Sequence, residues 1–311
     1  MPLLAPSHRT PMKILVTGAA GNVGPNVVRE LLAHGHEVRA LDIVAPPADV
    51  REKAEVVYAD IADRKAMLQA ALGCDAITHL GAIPNPVGGK ELEIFEPNVV
   101  GTQYVLAAAE AYGIQRVVLA SSCSIYGAAF ARTKYQHQYL PIDEFHPFHL
   151  EDLYGLSKQF NELNAEVITR RSGIATTCLR LNHVTFFDRP RSILRHIEHS
   201  HQWRQSEFWH YVEARDVAVA FRLALENVET GHHKVIVVAR DIYTAHDRRE
   251  LLRQHYPELA HYLDGDWDFD KYGFYDSRPA EELFGFVAQH FWRDVPELRE
   301  AGEKSMEQQR G

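Results

Sequence analysis

Apolar residues along the first 240 positions gather into short continuous runs, with helical stretches between them. MKILVTG (12–18) reads as a strand, and NVVRELLAHG (26–35) follows with apolar residues at helical spacing, closing on Gly35. HEVRALD (36–42) and EVVYADI (55–61) read as strands, DRKAMLQAALG (63–73) as a helix and CDAITHLGA (74–82) as a strand. A long helix is predicted over about 97–112, then the strand QRVVLASS (115–122), a helix over about 151–171 and the strand IATTCLRL (174–181). One more unit appears later, a helix over about 214–227 and the strand KVIVVA (234–239). Strands apolar along their whole length, separated by helices, predict a parallel sheet covered on both faces. The fold class expected is therefore α/β, a doubly wound sheet of the dinucleotide-binding kind.

After Leu181 the rhythm breaks. Residues 182–209 mix aromatics, arginines and histidines without a period, and 241–311 carry short helical signals around the acidic aromatic segment LDGDWDFDKYGFYD. This divides the chain into a leader over 1–11, a nucleotide-binding domain over 12–181 plus about 211–240, and a small substrate-binding part. The last combines about 182–210 with 241–311. In between, Arg215 and Asp216 are expected to cap the helix that follows and to tie the two parts together.

The first strand ends in VTGAAGNVG, with Gly18, Gly21 and Gly24 three residues apart. The first permits a tight turn, the second admits a pyrophosphate close to backbone, and the third packs helix against strand. Free N–H groups at the helix N-terminus complete a phosphate site. Asp42 ends the second strand, where a carboxylate can bond both ribose hydroxyls and repel the extra phosphate of NADP. NAD is thus the expected cofactor, with NADP disfavoured.

Tyr154 and Lys158 lie four residues apart in YGLSK and share one helix face. An ordinary phenol, with a pKa of about 10, is no base at neutral pH. A neighbouring ammonium and an oxidised nicotinamide would each favour the phenolate, and a shift of three units needs about 4 kcal/mol. Ser122, at the end of the strand VVLASS, is placed to hydrogen-bond the reacting oxygen.

TGAAGNVG, ADIAD, HLGA, NVVGT, SSCSIYG and YGLSK occur in order. The set resembles extended short-chain dehydrogenase/reductases of the NAD-dependent epimerase/dehydratase type over about residues 12–185. The resemblance implies a catalytic set of Ser122, Tyr154 and Lys158, and a pyrophosphate loop of Gly18, Gly21, Asn22, Val23 and Gly24. It implies Asp42 with Ile43 at the ribose, Asp60 and Ile61 at the adenine, and Leu80, Gly81 and Ala82 along the cofactor groove. Asn98 matches an asparagine that steadies the site.

Departures from the family lie at the substrate end. His183 occupies the place of an expected asparagine, a glycine-proline turn is missing, and the segment before HYVEARDVA is short. The shortened region is similar to that of uronate dehydrogenases. Under that resemblance Arg191 is a candidate carboxylate clamp, and His183, Ser124 and Tyr126 are further substrate contacts. Three activities stay open: a sugar or sugar-nucleotide epimerase or dehydratase, a net dehydrogenase of a free sugar or uronic acid, and an idle nucleotide sensor.

Composition narrows the partners. A formal charge of −9 over 311 residues argues against nucleic acid, and no apolar run reaches the roughly 18–20 residues of a membrane span. Three scattered cysteines give neither a disulfide framework nor metal-ligand spacing and suit the cytoplasm. Val100, Tyr104, Phe160 and Leu163 exceed what the sheet needs on the two long helices, which predicts a homodimer built on a four-helix interface.

Overall fold

A computed structural model describes residues 10–85, 91–133, 135–202 and 205–310. The leader expected over 1–11 lies outside them except for residues 10 and 11. In order the chain runs β1 (Lys13–Thr17), α1 (Gly24–Ala33), β2 (Glu37–Asp42), α2 (Ala48–Arg51), β3 (Glu55–Tyr58), α3 (Arg64–Ala71), β4 (Ala76–His79) and α4 (Glu91–Tyr112). It continues through β5 (Arg116–Ser122), α5 (Leu153–Ser172), β6 (Ala175–Leu181), β7 (Val184–Thr185), α6 (Arg191–Glu198), β8 (Val212–Glu213), α7 (Ala214–Asn227) and β9 (His232–Val237). The remainder is helical: α8 (Arg248–His255), α9 (Phe269–Tyr272), α10 (Arg278–Phe284) and α11 (Pro296–Arg310).

Seven strands form one parallel sheet in the order β3-β2-β1-β4-β5-β6-β9. The order reverses between β1 and β4, so the crevice at that switch point is where a doubly wound sheet takes its ligand. Residues such as Ile14, Val16, Ile77, Val118 and Leu179 are wholly or almost wholly buried, as expected for strands covered on both faces. Boundaries shift from the sequence reading at several elements, two helix starts among them. α1 begins at Gly24, with Pro25 in its first turn, where a missing N–H removes no bond. α4 begins at Glu91 and carries Pro97 inside it, because buried Ile94 and Asn98 anchor the turn on either side of the proline.

The segments after Leu181 hold more order than their sequence signals. β7 and β8 pair in parallel through Val184–Val212 and Thr185–Glu213. α11 packs on α6, and Ser305 Oγ donates to the Glu198 carbonyl at 2.9 Å. One apolar cluster runs from Val27 and Val28 of α1 through Phe221 of α7 to Phe208, Trp209, Tyr256 and Phe274. Asp216 is buried and accepts from the backbone N–H groups of Gln289 and His290 at 3.1 and 3.0 Å, while Glu213 caps α7.

Candidate active site

A cleft of about 1030 Å³ opens over the carboxyl ends of the strands. Its floor at one end is the β1–α1 loop. Gly18 has φ +73°, and a Cβ there would fall 2.7 Å from the Gly81 nitrogen. At Gly24 a Cβ would fall 2.1 Å from the Gly18 carbonyl oxygen, so only glycine closes this turn. A Cβ at Gly21 would meet, among the described residues, the Gly18 oxygen at 3.2 Å, which leaves its other side open to an approaching group. No side chain caps the N-terminus of α1 among the described residues, and Asn22 and Val23 line the cleft there. Uncapped N–H groups facing a cleft are an anion cradle.

Asp42 reaches the same wall. Its Oδ2 accepts from Ala20 N at 2.9 Å and its Oδ1 from Val44 N at 3.3 Å, which fixes the carboxylate with lone pairs to spare. Ile43, Asp60, Ile61, Leu80, Gly81 and Ala82 line the cleft as well. The last three are held by β4, whose His79 bridges Thr17 Oγ1 at 2.6 Å and Thr102 Oγ1 at 2.9 Å. Burial pushes that imidazole down to about 3, so it is neutral and serves as a linker between sheet and helix. Asn98 does not line the cleft. Its amide accepts from Ile83 N at 2.8 Å and donates to the Ile83 carbonyl at 3.0 Å and Ser157 Oγ at 3.2 Å, tying the groove to α5.

At the other end Ser122, Tyr154 and Lys158 meet, all three buried. α5 is started by Asp152, whose Oδ1 accepts from Gly155 N at 2.7 Å, and this sets the phase that turns Tyr154 and Lys158 to the cleft. Lys158 Nζ donates to the Ala120 carbonyl at 2.9 Å and lies 5.5 Å from the Tyr154 ring centroid. Burial lowers Lys158 to about 8. Burial raises Tyr154 to about 12, with a hydrogen bond to Ser122 pulling it down and the Asp152 charge adding to the rise. Among the protein's own groups desolvation of the phenolate outweighs the Ser122 hydrogen bond, so the lowered phenol expected from the sequence depends on the nicotinamide charge as well. Ser122 Oγ donates to Ser124 Oγ at 3.0 Å and accepts from Ser124 N at 3.1 Å.

The substrate-side residues separate. Ser124 and His183 line the cleft. Tyr126 lines it too, but its hydroxyl donates to the Asp143 carbonyl at 2.9 Å and accepts from Arg180 at 3.0 Å, so it is committed inside the protein. Arg191 is exposed at the first residue of α6 and does not line the cleft, because the turn after Pro190 directs it outward. Residues the sequence reading missed are Asn182, His137, Ser206, Glu207 and Tyr275, all on the cleft wall. Another is the buried pair Arg180–Glu162 at 2.7 Å, whose carboxylate also accepts from Ser121 Oγ at 2.6 Å, next to Ser122.

The model of the NAD dependent epimerase/dehydratase family matches residues 14–239. The chain belongs to that family. Among curated members it is 33% identical over 181 residues to a uronate dehydrogenase of Pseudomonas syringae pv. tomato, covering 57% of this chain and 62% of that protein. It is 32% identical over 179 residues to a putative UDP-glucose 4-epimerase of Methanocaldococcus jannaschii, covering 55% of each. The match thus spans less than two thirds of these family members. Among solved structures, a short-chain dehydrogenase/reductase superfamily protein from Agrobacterium tumefaciens, with bound NAD, superposes with a TM-score of 0.71 at 25% identity, covering 96% of this chain and 98% of that one. No helix among the described residues is long and apolar enough to cross a membrane.

Proposed function

We propose that this family member binds NAD in the cleft and oxidises a secondary alcohol of a small free sugar-type compound, with net release of NADH. The observation that carries this reading is one cleft holding both the glycine cradle with Asp42 and the Ser122–Tyr154–Lys158 set. The residues fit the cofactor: an uncapped helix N-terminus suits its pyrophosphate, and the anchored Asp42 carboxylate suits a ribose diol and opposes a phosphate. When bound, NAD supplies the hydride acceptor and a positive charge near the phenol.

The chain's own residues handle the proton. Ser122 Oγ holds the substrate oxygen, and Tyr154 Oη takes the proton from that hydroxyl as the carbon–hydrogen bond breaks. Lys158, fixed by Ala120, favours the phenolate electrostatically. The buried Arg180–Glu162 pair ties β6 to α5, and Ser121 Oγ on the same carboxylate ties in β5 at the spacing this requires.

Net dehydrogenation is preferred to epimerisation on the likeness to uronate dehydrogenases and the short segment between β7 and β8. A screen of free sugars with NAD, followed at the NADH absorbance band, tests it. Steady NADH accumulation supports the reading. Sugar interconversion without accumulation, with NAD retained through purification, would replace it with the epimerase. The exposed apolar side chains Phe160, Leu163 and Val167 on α5 support a homodimer through α4 and α5.

A further inference from the structure

We infer that Glu207 and Asn182 form a hydroxyl clamp at the substrate end of the cleft, and that the substrate is an uncharged polyhydroxy sugar rather than a sugar acid or a nucleotide sugar. This rests on the oxidoreductase reading above and names its substrate class.

Glu207 lines the cleft that holds Ser122 and Tyr154, and it is half-buried. Among the described residues its carboxylate has neither a hydrogen bond nor an ion pair, although burying a carboxylate without a partner is unfavourable. The backbone presents it at a measurable cost. Phe208 and Trp209, directly after it, have φ of +50° and +61°, a region that bulky residues rarely enter. Both rings are fully buried, and this packing sustains the turn. Phe208 lies 4.4 Å from the Tyr256 ring and 4.6 Å from His137, and the Trp209 indole donates to the Ser200 carbonyl at 2.7 Å. His210 N then donates to the Glu207 carbonyl at 3.0 Å, closing the turn.

Asn182 supplies the complementary group. It is 4% exposed and lines the same cleft. Its Oδ1 accepts from His183 N at 2.7 Å, while its Nδ2, beside the buried Cys123 thiol, has no oxygen or nitrogen partner among the described residues. An unpaired amide donor and an unpaired carboxylate acceptor on one cleft wall match sugar hydroxyls, which both donate and accept. A site built this way also leaves its polar groups unpaired against an analogue that lacks the hydroxyls.

Charge excludes the alternatives. The charged side chains lining the cleft are Asp42, Asp60, Glu207 and Lys158 among the described residues. Lys158 is occupied by Ala120 beneath Tyr154, so among the described residues an anionic substituent at the Glu207 end meets a like charge, with the imidazoles of His183 and His196 beside it and burial holding His196 below its ordinary value. Both a uronate carboxylate and a nucleotide pyrophosphate would carry that penalty.

The test uses matched pairs, D-glucose with D-glucuronate and D-galactose with D-galacturonate. NADH formation is measured with NAD, and thermal shifts are measured in the presence of NADH. The wild-type protein is expected to show kcat/KM at least about tenfold higher for a neutral aldose than for its acid. Glu207→Gln is expected to raise KM for the aldose about tenfold or more, to narrow the gap to the acid and to leave the NADH-induced thermal shift unchanged. A wild-type preference for the uronate, an unchanged aldose-to-acid ratio in Glu207→Gln, or NADH binding without any aldose binding or oxidation would overturn the clamp. Failure of NADH to stabilise the wild-type protein would instead overturn the oxidoreductase reading on which the clamp rests.

Discussion

The Lys158 ammonium lies 5.5 Å from the centroid of the Tyr154 ring, held there by the Ala120 carbonyl at 2.9 Å. Burial acts on the two groups in opposite directions. It lowers Lys158 to about 8 and raises Tyr154 to about 12, so the ammonium loses its proton well before the phenol does. Because the mechanism uses the Lys158 ammonium, kcat/KM for the wild-type protein is expected to fall as pH rises through about 8, where that proton leaves. In Lys158→Met only the raised phenol remains, and the profile should still be climbing at pH 10. A wild-type profile flat from pH 6 to 10 would contradict a role for the ammonium.

Lys158 also carries a stability consequence. Its folded pKa, about 8, lies below the ordinary 10.5, so the unfolded chain binds more protons between those values. Stability should rise with pH across that window, and below pH 8 the full penalty of about 3 kcal/mol is present. Lys158→Met removes the penalty along with one hydrogen bond to Ala120. Thermal unfolding at pH 7 is expected to show a higher Tm for the variant, with activity lost. A lower Tm would show that the ammonium is a net stabiliser.

The Arg180–Glu162 pair is almost wholly buried and fully bonded: guanidinium to carboxylate at 2.9 and 2.7 Å, to Tyr126 at 3.0 Å and to the Glu144 carbonyl at 2.8 Å. Removing one partner strands a charge. Arg180→Met is expected to cost about 3–5 kcal/mol in urea unfolding, and Arg180→Met with Glu162→Gln together less than the two singles combined. Additive losses would mean that the two groups act separately.

Much of the fold was legible because the strands carry continuous apolar runs and the glycine spacing fixes the first turn. Tyr154, Lys158, Ser122 and Asp42 were legible for the same reason, as they sit at strand ends or on a regular helix. The substrate end was not. β7 and β8 have two residues each, too few for a period, and Glu207 is aimed by a left-handed turn at Phe208 and Trp209 that no local propensity favours. Tyr126 looked free in sequence because Arg180, the residue that occupies it, is 54 positions away.

Phe160 and Leu163 remain 44% and 53% exposed on α5, with Val167 one turn further. Sedimentation at micromolar concentration is expected to give twice the 35.3 kDa of the chain. Replacing Leu163 with Glu should give monomers. A wild-type monomer would remove the four-helix interface from the account.

The most direct measurement is turnover and NADH binding of Tyr154→Phe, side by side. Loss of the hydroxyl should lower kcat by about 10²–10⁴-fold on any sugar the wild-type protein oxidises, with NADH affinity within a few-fold of wild type. Unchanged kcat in a variant that still binds NADH would show that the proton leaves by another route.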